Sequence, residues 1–238
     1  MQKLIVANWK CNPDSLGRAI SLARKVDAGI PKTKNIEVVI APPFPFLAGV
    51  GKALRRAKLG AQDAFWENVG PYTGEISWHQ LKHLGVSYVI IGHSERRKFL
   101  HETDEMINLK LKEAFKVGLV PVLAVGEKEP NDDIIKVLTR QIKSALEGIG
   151  VSEIGRLIVA YEPVWAISTS GTGMIDTSDH ALSDALLIKK IIGNLYGSQW
   201  TVDLPVLYGG SVTSENAYDF IAQSGISGAL VGGASLEL

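Results

Sequence analysis

Three ionisable side chains that could take part in proton transfer each follow a short apolar run. Lys10 comes after the first such run, His93 after the fourth and Glu162 after the sixth. A carboxylate can accept a proton from carbon, an imidazole can donate a hydrogen bond to a carbonyl, and an ammonium can stabilise negative charge developing on oxygen. Together these groups suit proton abstraction next to a carbonyl.

The neighbouring residues refine two of these roles. His93 precedes "SERRKF", a pattern typical of a short helix start. The positive end of a helix dipole disfavours an imidazolium, so we expect a neutral ring that donates a hydrogen bond. Glu162 precedes Pro163 and Trp165, a stiff hinge with an apolar anchor, and then the polar loop 168–173. A loop closing over the carboxylate would exclude water and strengthen it as a base.

Two glycine pairs predict a phosphate site. Gly209 and Gly210, with Ser211 beside them, follow the seventh apolar run, and Gly232 and Gly233 follow the eighth. Glycine lets a phosphate approach backbone N–H groups without obstruction by a Cβ atom. Glycines that only end strands are the alternative, but two pairs on neighbouring strands favour phosphate binding. The sequence has no nucleotide-type G-x-x-x-x-G-K-[ST] or G-x-G-x-x-G loop.

Short apolar runs alternate with helix-period segments along the whole chain. Continuous apolarity indicates parallel strands that are buried on both faces, so we expect one (β/α)8 barrel over residues 1–238. An open doubly wound sheet is the alternative. In a barrel, the polar residues above would meet at the carboxyl ends of the strands. The predicted strands are Leu4 to Ala7, Ile36 to Ala41, Leu59 to Ala61, Tyr88 to Ile91, Val120 to Val125, Leu157 to Tyr161, Val206 to Tyr208 and Ala229 to Val231.

Charge and composition exclude several classes of partner. The 25 basic and 25 acidic residues balance, so the chain lacks the broad positive field that nucleic acid or an anionic membrane would require. No apolar run approaches the roughly 20 residues that span a bilayer. Cys11 is the only cysteine, which excludes an intramolecular disulfide and makes the cytoplasm the expected location.

Five short segments, in order along nearly the full chain, carry a resemblance to a known family. They read "NWKCN" at 8–12, "IGHSERR" at 91–97, "AYEPVWAI" at 160–167, "YGGSV" at 208–212 and "GALVGGASL" at 228–236. In them the sequence closely resembles the triosephosphate isomerases. The resemblance implies a TIM barrel and an aldose–ketose isomerase of glycolysis and gluconeogenesis. Its substrates would be dihydroxyacetone phosphate and D-glyceraldehyde 3-phosphate, interconverted through an enediolate.

The resemblance also implies a role for each site residue. Glu162 would carry the proton between two carbons, and His93 would polarise the carbonyl. Lys10 and Asn8 would stabilise the enediolate, and Glu95 would orient Lys10. No metal or organic cofactor is implied. The implied phosphate-binding residues are Ser168, Gly210, Ser211, Gly232 and Gly233.

A homodimer is a further implication. The segment "QDAFWENVGPYTGEIS", residues 62–77, resembles the loop that interdigitates between subunits in this family. Thr73 of one subunit would reach toward Asn8 and Lys10 of the other, and Cys11 would lie near that contact.

Two departures from the family pattern qualify these expectations. In the family the loop after "YEPVW" usually reads "AIGTG". Here either Ser168 replaces the first glycine or residues are inserted before Gly171. The sequence therefore does not assign the N–H groups of this loop that contact the phosphate. The sequence ends at Leu238, just after "GGASL", where the family continues into a last helix. We therefore expect a barrel without the usual C-terminal helix.

Two other functions fit parts of the pattern. A non-catalytic phosphate-binding barrel would not need Lys10, His93 and Glu162 together. A sugar-phosphate epimerase leaves "HSERR" and "YEPVW" without an explanation. The isomerase is the interpretation that uses all of these residues.

Overall fold

The computed structural model describes residues 2–167 and 171–237. In these ranges eight parallel strands close into a barrel in chain order, and the last pairs with the first. The closed ring confirms the predicted TIM barrel and excludes the open sheet. The strands are β1 (Lys3–Asn8), β2 (Ile36–Ala41), β3 (Lys58–Ala61), β4 (Val86–Ile91), β5 (Val120–Val125), β6 (Ile158–Tyr161), β7 (Val206–Tyr208) and β8 (Gly228–Val231).

Helices surround the barrel, and their ends follow local sequence signals. Before the fifth helix, the Thr103 hydroxyl accepts a hydrogen bond from the backbone N–H of Met106. Gly118 ends that helix at φ 78°, a left-handed conformation that glycine adopts without steric cost. In the described ranges the helices are α1 (Leu16–Gly29), α2 (Leu47–Ala53), α3 (Trp78–His83), α4 (Ser94–Phe99), α5 (Asp104–Val117), α6 (Ile134–Ala145), α7 (Val151–Ile154), α8 (Ser178–Tyr196) and α9 (Ala217–Ile221).

The sheet is buried on both faces, which explains the continuous apolar runs. Val6 and Ile90 belong to an apolar cluster in the barrel interior, whereas their neighbours Ala7 and Ile91 pack in the layer between strands and helices. Alternate side chains of each strand thus enter different cores. Among residues 2–167 and 171–237, none of the helices combines the length and the apolar character that a membrane crossing requires.

A buried ionic cluster joins α5 to α4 and to the loop after β3. The Lys110 ammonium, 2% exposed, lies 2.7 Å from an oxygen of Asp63 and 3.1 Å from one of Glu102. Arg96 contacts the same two carboxylates at 2.7 and 2.6 Å. Burial raises the pKa of Asp63 to about 6, although the Lys110 charge opposes the shift. The cluster fixes α4, whose first residues border the site described below.

Replacement of Lys110 by Met should lower the free energy of unfolding by about 3–5 kcal/mol, because two buried carboxylates would share only Arg96. The loss should be smaller at about pH 5 than at about pH 8, since a protonated Asp63 needs no counterion. Denaturant unfolding measures both values. Lys116→Met on the same helix, where the side chain is 70% exposed, is the control and should change stability by less than about 0.5 kcal/mol. Equal stabilities of the two variants would contradict the role of the cluster.

Asp27 of α1 binds the chain that leads into β3. Its Oδ1 atom accepts hydrogen bonds from the backbone N–H groups of Arg55, Arg56 and Ala57, at 3.1, 2.7 and 2.8 Å. Burial alone would raise the pKa of Asp27, but these N–H groups and the Arg56 charge outweigh it and the pKa is lowered.

Replacement of Asp27 by Asn should lower the free energy of unfolding at neutral pH by about 1–3 kcal/mol, since bonds to a charged acceptor are lost. A depressed carboxyl pKa gives stability that is present above the unfolded value of 3.8 and lost as pH falls through the folded value. The difference from the unmodified chain should therefore shrink in acid. Asp14→Asn, at a side chain 72% exposed, is the matched control in the same denaturant titrations. A pH-independent difference would show that the charge of Asp27 is not responsible.

Candidate active site

The carboxyl ends of the strands surround a cavity of about 400 Å³. Its lining brings together residues from β1, β4, β6, β7 and β8 and the loops that follow them. Glu95 contacts the site through Lys10. Thr73 and Cys11 are exposed and do not belong to this lining. The predicted Ser168 lies outside the described residues. The predicted site residues in the lining are Asn8, Lys10, His93, Glu162, Gly210, Ser211, Gly232 and Gly233.

Glu162 follows β6 directly and points across the cavity toward the end of β4. One carboxylate oxygen lies 3.1 Å from Nε2 of His93, and the other accepts a hydrogen bond of 2.9 Å from the backbone N–H of Ser94. Only 2% of Glu162 is exposed. These two donors hold the buried carboxylate at the cavity wall, beside the end of β4.

The hydrogen bonds of His93 assign its tautomer. His93 caps the N-terminus of α4, and its Nδ1 atom accepts a hydrogen bond of 3.2 Å from the backbone N–H of Glu95. A nitrogen that accepts carries no proton, so the ring proton is on Nε2, which faces Glu162. The ring is thus arranged as the neutral hydrogen-bond donor that the helix position predicts.

Lys10 reaches the cavity from a strained turn after β1. Its backbone has φ 51°, uncommon outside glycine, and its N–H donates to the Asn8 side chain over 3.1 Å. The side-chain amide of Gln62, the residue after β3, donates to the Lys10 carbonyl over 2.8 Å and so stabilises this turn. The ammonium lies 2.5 Å from Oε1 of Glu95. A positive charge is therefore fixed at the cavity wall.

Two glycines make room for the backbone that carries Glu162. A Cβ atom on Gly126 would lie 1.9 Å from the Glu162 carbonyl oxygen, so only glycine fits there. A Cβ atom on Gly209 would lie 3.0 Å from Cγ of Glu162. The ends of β5 and β7 thus touch the carboxylate residue on both sides.

The loops after β7 and β8 line another part of the cavity, mainly with small and polar residues. After β8, Gly232 leads into a 3-10 helix, Gly233–Leu236, and a Cβ atom on Gly232 would lie 3.4 Å from Cε of Lys10. After β7, the Ser211 N–H donates to the Ala166 carbonyl over 3.2 Å. This wall has the small residues and the nearby cation that an anionic group requires.

Sequence reasoning missed several contributors to the site. Ser94 acts through its backbone N–H, Gln62 acts through a turn on another strand, and Gly126 acts by lacking a side chain. None of these three roles has a local pattern. Thr213 and Glu215 also line the cavity. Their place on the loop after β7 is a sequence signal that predicts a position at the site.

Comparison with known proteins finds one family over nearly the whole chain. The sequence model of the family described as Triosephosphate isomerase matches residues 3–238. The chain is 44% identical over 241 residues to the triosephosphate isomerase of Dictyoglomus thermophilum, covering 99% of this chain and 95% of that protein. It is 43% identical over 246 residues to that of Alkaliphilus oremlandii, covering 100% and 96%. For that of Thermoanaerobacter sp. strain X514 the identity is 44% over 240 residues, covering 98% and 94%.

Proposed function

The chain belongs to the triosephosphate isomerase family, and from that premise we propose that it interconverts dihydroxyacetone phosphate and D-glyceraldehyde 3-phosphate by moving one proton between neighbouring carbons. Membership makes it an intramolecular oxidoreductase of the aldose–ketose isomerase class, with a role in glycolysis. The same equilibrium serves gluconeogenesis in the reverse direction.

The observation that carries this proposal is the contact between Glu162 and His93 in a cavity that also holds Lys10. The carboxylate oxygen and Nε2 are 3.1 Å apart, so both can touch neighbouring atoms of one three-carbon substrate. The Lys10 side chain lines the same cavity. A base, a neutral hydrogen-bond donor and a cation are the groups that proton transfer beside a carbonyl needs.

Glu162 takes the proton in the proposed reaction. Its carboxylate removes a proton from C1 of dihydroxyacetone phosphate, and the C–H electrons form a C1–C2 double bond. The carbonyl π electrons move onto the C2 oxygen, which gives the enediolate. To reach C1, the carboxylate exchanges its hydrogen bond from Ser94 for the substrate. The same carboxyl group then returns a proton to C2.

His93 and Lys10 act on the two substrate oxygens. The Nε2–H of His93 donates to the carbonyl oxygen and moves a proton from the C1 hydroxyl to the C2 oxygen, leaving an aldehyde at C1. Lys10 and Asn8 stabilise the negative charge on the enediolate, since donors fixed in advance need no reorganisation. Glu95 orients the Lys10 ammonium through their 2.5 Å contact.

The substrate phosphate binds at the wall formed by the loops after β7 and β8, which we call the phosphate wall. Gly232 and Gly233 offer backbone N–H groups, Gly210 and Ser211 border them, and Lys10 supplies a nearby charge. We include Ser168 in this group from the family resemblance alone. No metal or organic cofactor enters the proposal, because Glu162 and His93 account for every proton moved.

We extend the proposal to a cytoplasmic homodimer in which Thr73 reaches Asn8 and Lys10 of the other subunit, with Cys11 near the contact. Support comes from exposed apolar groups on the loop 62–77, where Val69 is 79% exposed. Apolar surface of this kind favours association.

A coupled assay with D-glyceraldehyde 3-phosphate tests the function. Formation of dihydroxyacetone phosphate by the purified chain, without added metal, is the expected result. A phosphate-binding scaffold would bind the substrate without turnover, and an epimerase would convert a longer sugar phosphate but not the triose. Either outcome would overturn the proposal.

A further inference from the structure

Three ionisable side chains at the start of α8 are not used by the proposed reaction. Asp176, His180 and Asp184 are spaced four residues apart and lie on one side of the helix start. The two aspartates are buried, at 6% and 5% exposed, whereas the His180 side chain is 48% exposed. A pair of buried carboxylates around one histidine calls for a structural or functional reason.

The histidine bridges the two carboxylates. Its Nδ1 atom lies 2.8 Å from Oδ1 of Asp176, and its Nε2 atom lies 3.5 Å from Oδ2 of Asp184. Asp176 also accepts a hydrogen bond of 2.8 Å from the backbone N–H of Thr177, the residue that caps α8. Burial raises the pKa of Asp176, and His180 is the largest influence that lowers it. The contact with His180 therefore favours the ionised form of Asp176.

The same histidine contacts the hinge that follows Glu162. Its ring packs edge-on against the Trp165 indole, with ring centroids 5.9 Å apart. Trp165 lies in the 3-10 helix Val164–Ala166, three residues after Glu162. Only Pro163 and Val164 separate Glu162 from Trp165 along the chain, so a contact that holds the indole also restrains the backbone of Glu162.

The other side of Trp165 is tied to the loop after β5. The indole N–H donates to Glu127, and the Tyr161 hydroxyl donates to the same carboxylate over 3.1 Å. The backbone N–H of Val164 donates to the Glu127 carbonyl over 3.0 Å. Trp165 thus contacts both Glu127 and the His180 ring.

We propose that Asp176 and His180 are positioning residues of the isomerase site, which hold Trp165 and, through it, the backbone that carries Glu162. The inference rests on the proposed function. Asp176 holds the His180 ring, the ring supports the indole, and the indole fixes the segment after the base. Small displacements of a catalytic group reduce turnover strongly, so the effect should be visible in kcat.

The test compares His180→Phe, Asp176→Ala and the double variant with the unmodified chain. Phe keeps a ring against Trp165 but cannot bond to Asp176, and the His180 side chain is 48% exposed, so this variant should fold. Each single variant should lower kcat about tenfold. The kcat of the double variant should be within about twofold of the kcat of the less active single variant, because both changes remove the same contact. Asp179→Ala, an exposed acid on the same helix, is the control and should keep kcat within about twofold.

Inhibition by inorganic phosphate separates positioning from general damage. The phosphate wall does not include Asp176 or His180, so the inhibition constant should stay unchanged while kcat falls. If His180→Phe and Asp176→Ala kept the kcat of the unmodified chain, this inference would be wrong and the proposed function would stand. Phosphate binding that weakened in parallel with kcat would have the same meaning. Absence of turnover in the unmodified chain would overturn the proposed function and this inference with it.

Discussion

Replacement of Glu162 by Gln is expected to lower kcat by about 10²- to 10⁴-fold, the range typical for loss of a general base. The amide has nearly the shape of the carboxylate and keeps an oxygen for the Ser94 N–H, but it cannot accept a proton from carbon. Affinity for inorganic phosphate should change little, because the proposed phosphate-binding groups lie on the loops after β7 and β8 and do not include Glu162.

Steady-state kinetics with D-glyceraldehyde 3-phosphate measures this effect. The matched control is Glu129→Gln, an exposed carboxylate on the loop after β5, which should retain full activity. If Glu162→Gln turned over as fast as Glu129→Gln, Glu162 would not be the base.

Replacement of Lys10 by Met should lower kcat/KM by about 10²- to 10³-fold, as expected for removal of a preorganised group at a developing oxyanion. Lys10 should influence both kcat and KM, because its charge lies near the reacting oxygens and near Gly232 on the phosphate wall. The change would also remove the contact between Lys10 and Glu95. Inorganic phosphate should therefore inhibit this variant more weakly than the unmodified chain.

Lys25→Met, at an exposed position on α1, serves as the comparison in the same assay. It removes one positive charge far from the cavity and should leave kcat and KM unchanged. Equal losses in the two variants would indicate a general charge effect, and the assignment of Lys10 to the enediolate would be wrong.

The barrel was predictable because burial on both faces leaves a direct mark on the sequence. The run from Val120 to Val125 has no polar interruption, and the structure gives β5 the same bounds. β4 begins two residues earlier than its apolar run, at Val86, because Val86 pairs with Leu59 of β3. Ser87 interrupts the apolar run there, and pairing between distant strands overrides that local signal.

The positions of the site residues followed from topology rather than from local pattern. A parallel barrel brings all strand ends to one rim, so Lys10, His93 and Glu162 could be grouped before their distances were known. The contacts that orient them could not be predicted in this way. The N–H of Ser94 and the amide of Gln62 act across the fold, and any residue type offers a backbone N–H.

Buried charges were the least predictable feature. Lys110 lies in α5 between Leu109 and Leu111, and its local sequence does not distinguish it from the exposed Lys112, yet it is 2% exposed. Its partners Asp63 and Glu102 belong to separate loops, so only the folded chain shows that the three meet. Asp176 and His180 carry a regular spacing, but their contact with Trp165 likewise depends on tertiary structure.

The most direct test of the central claim is the fate of the transferred hydrogen when dihydroxyacetone phosphate isomerises in D₂O. A carboxylic acid at Glu162 exchanges its proton with solvent, so nuclear magnetic resonance should find deuterium at C2 of the D-glyceraldehyde 3-phosphate formed. Glu162→Gln should reduce that incorporation together with turnover. Complete retention of the substrate hydrogen at C2, together with unchanged turnover in Glu162→Gln, would contradict proton transfer through Glu162.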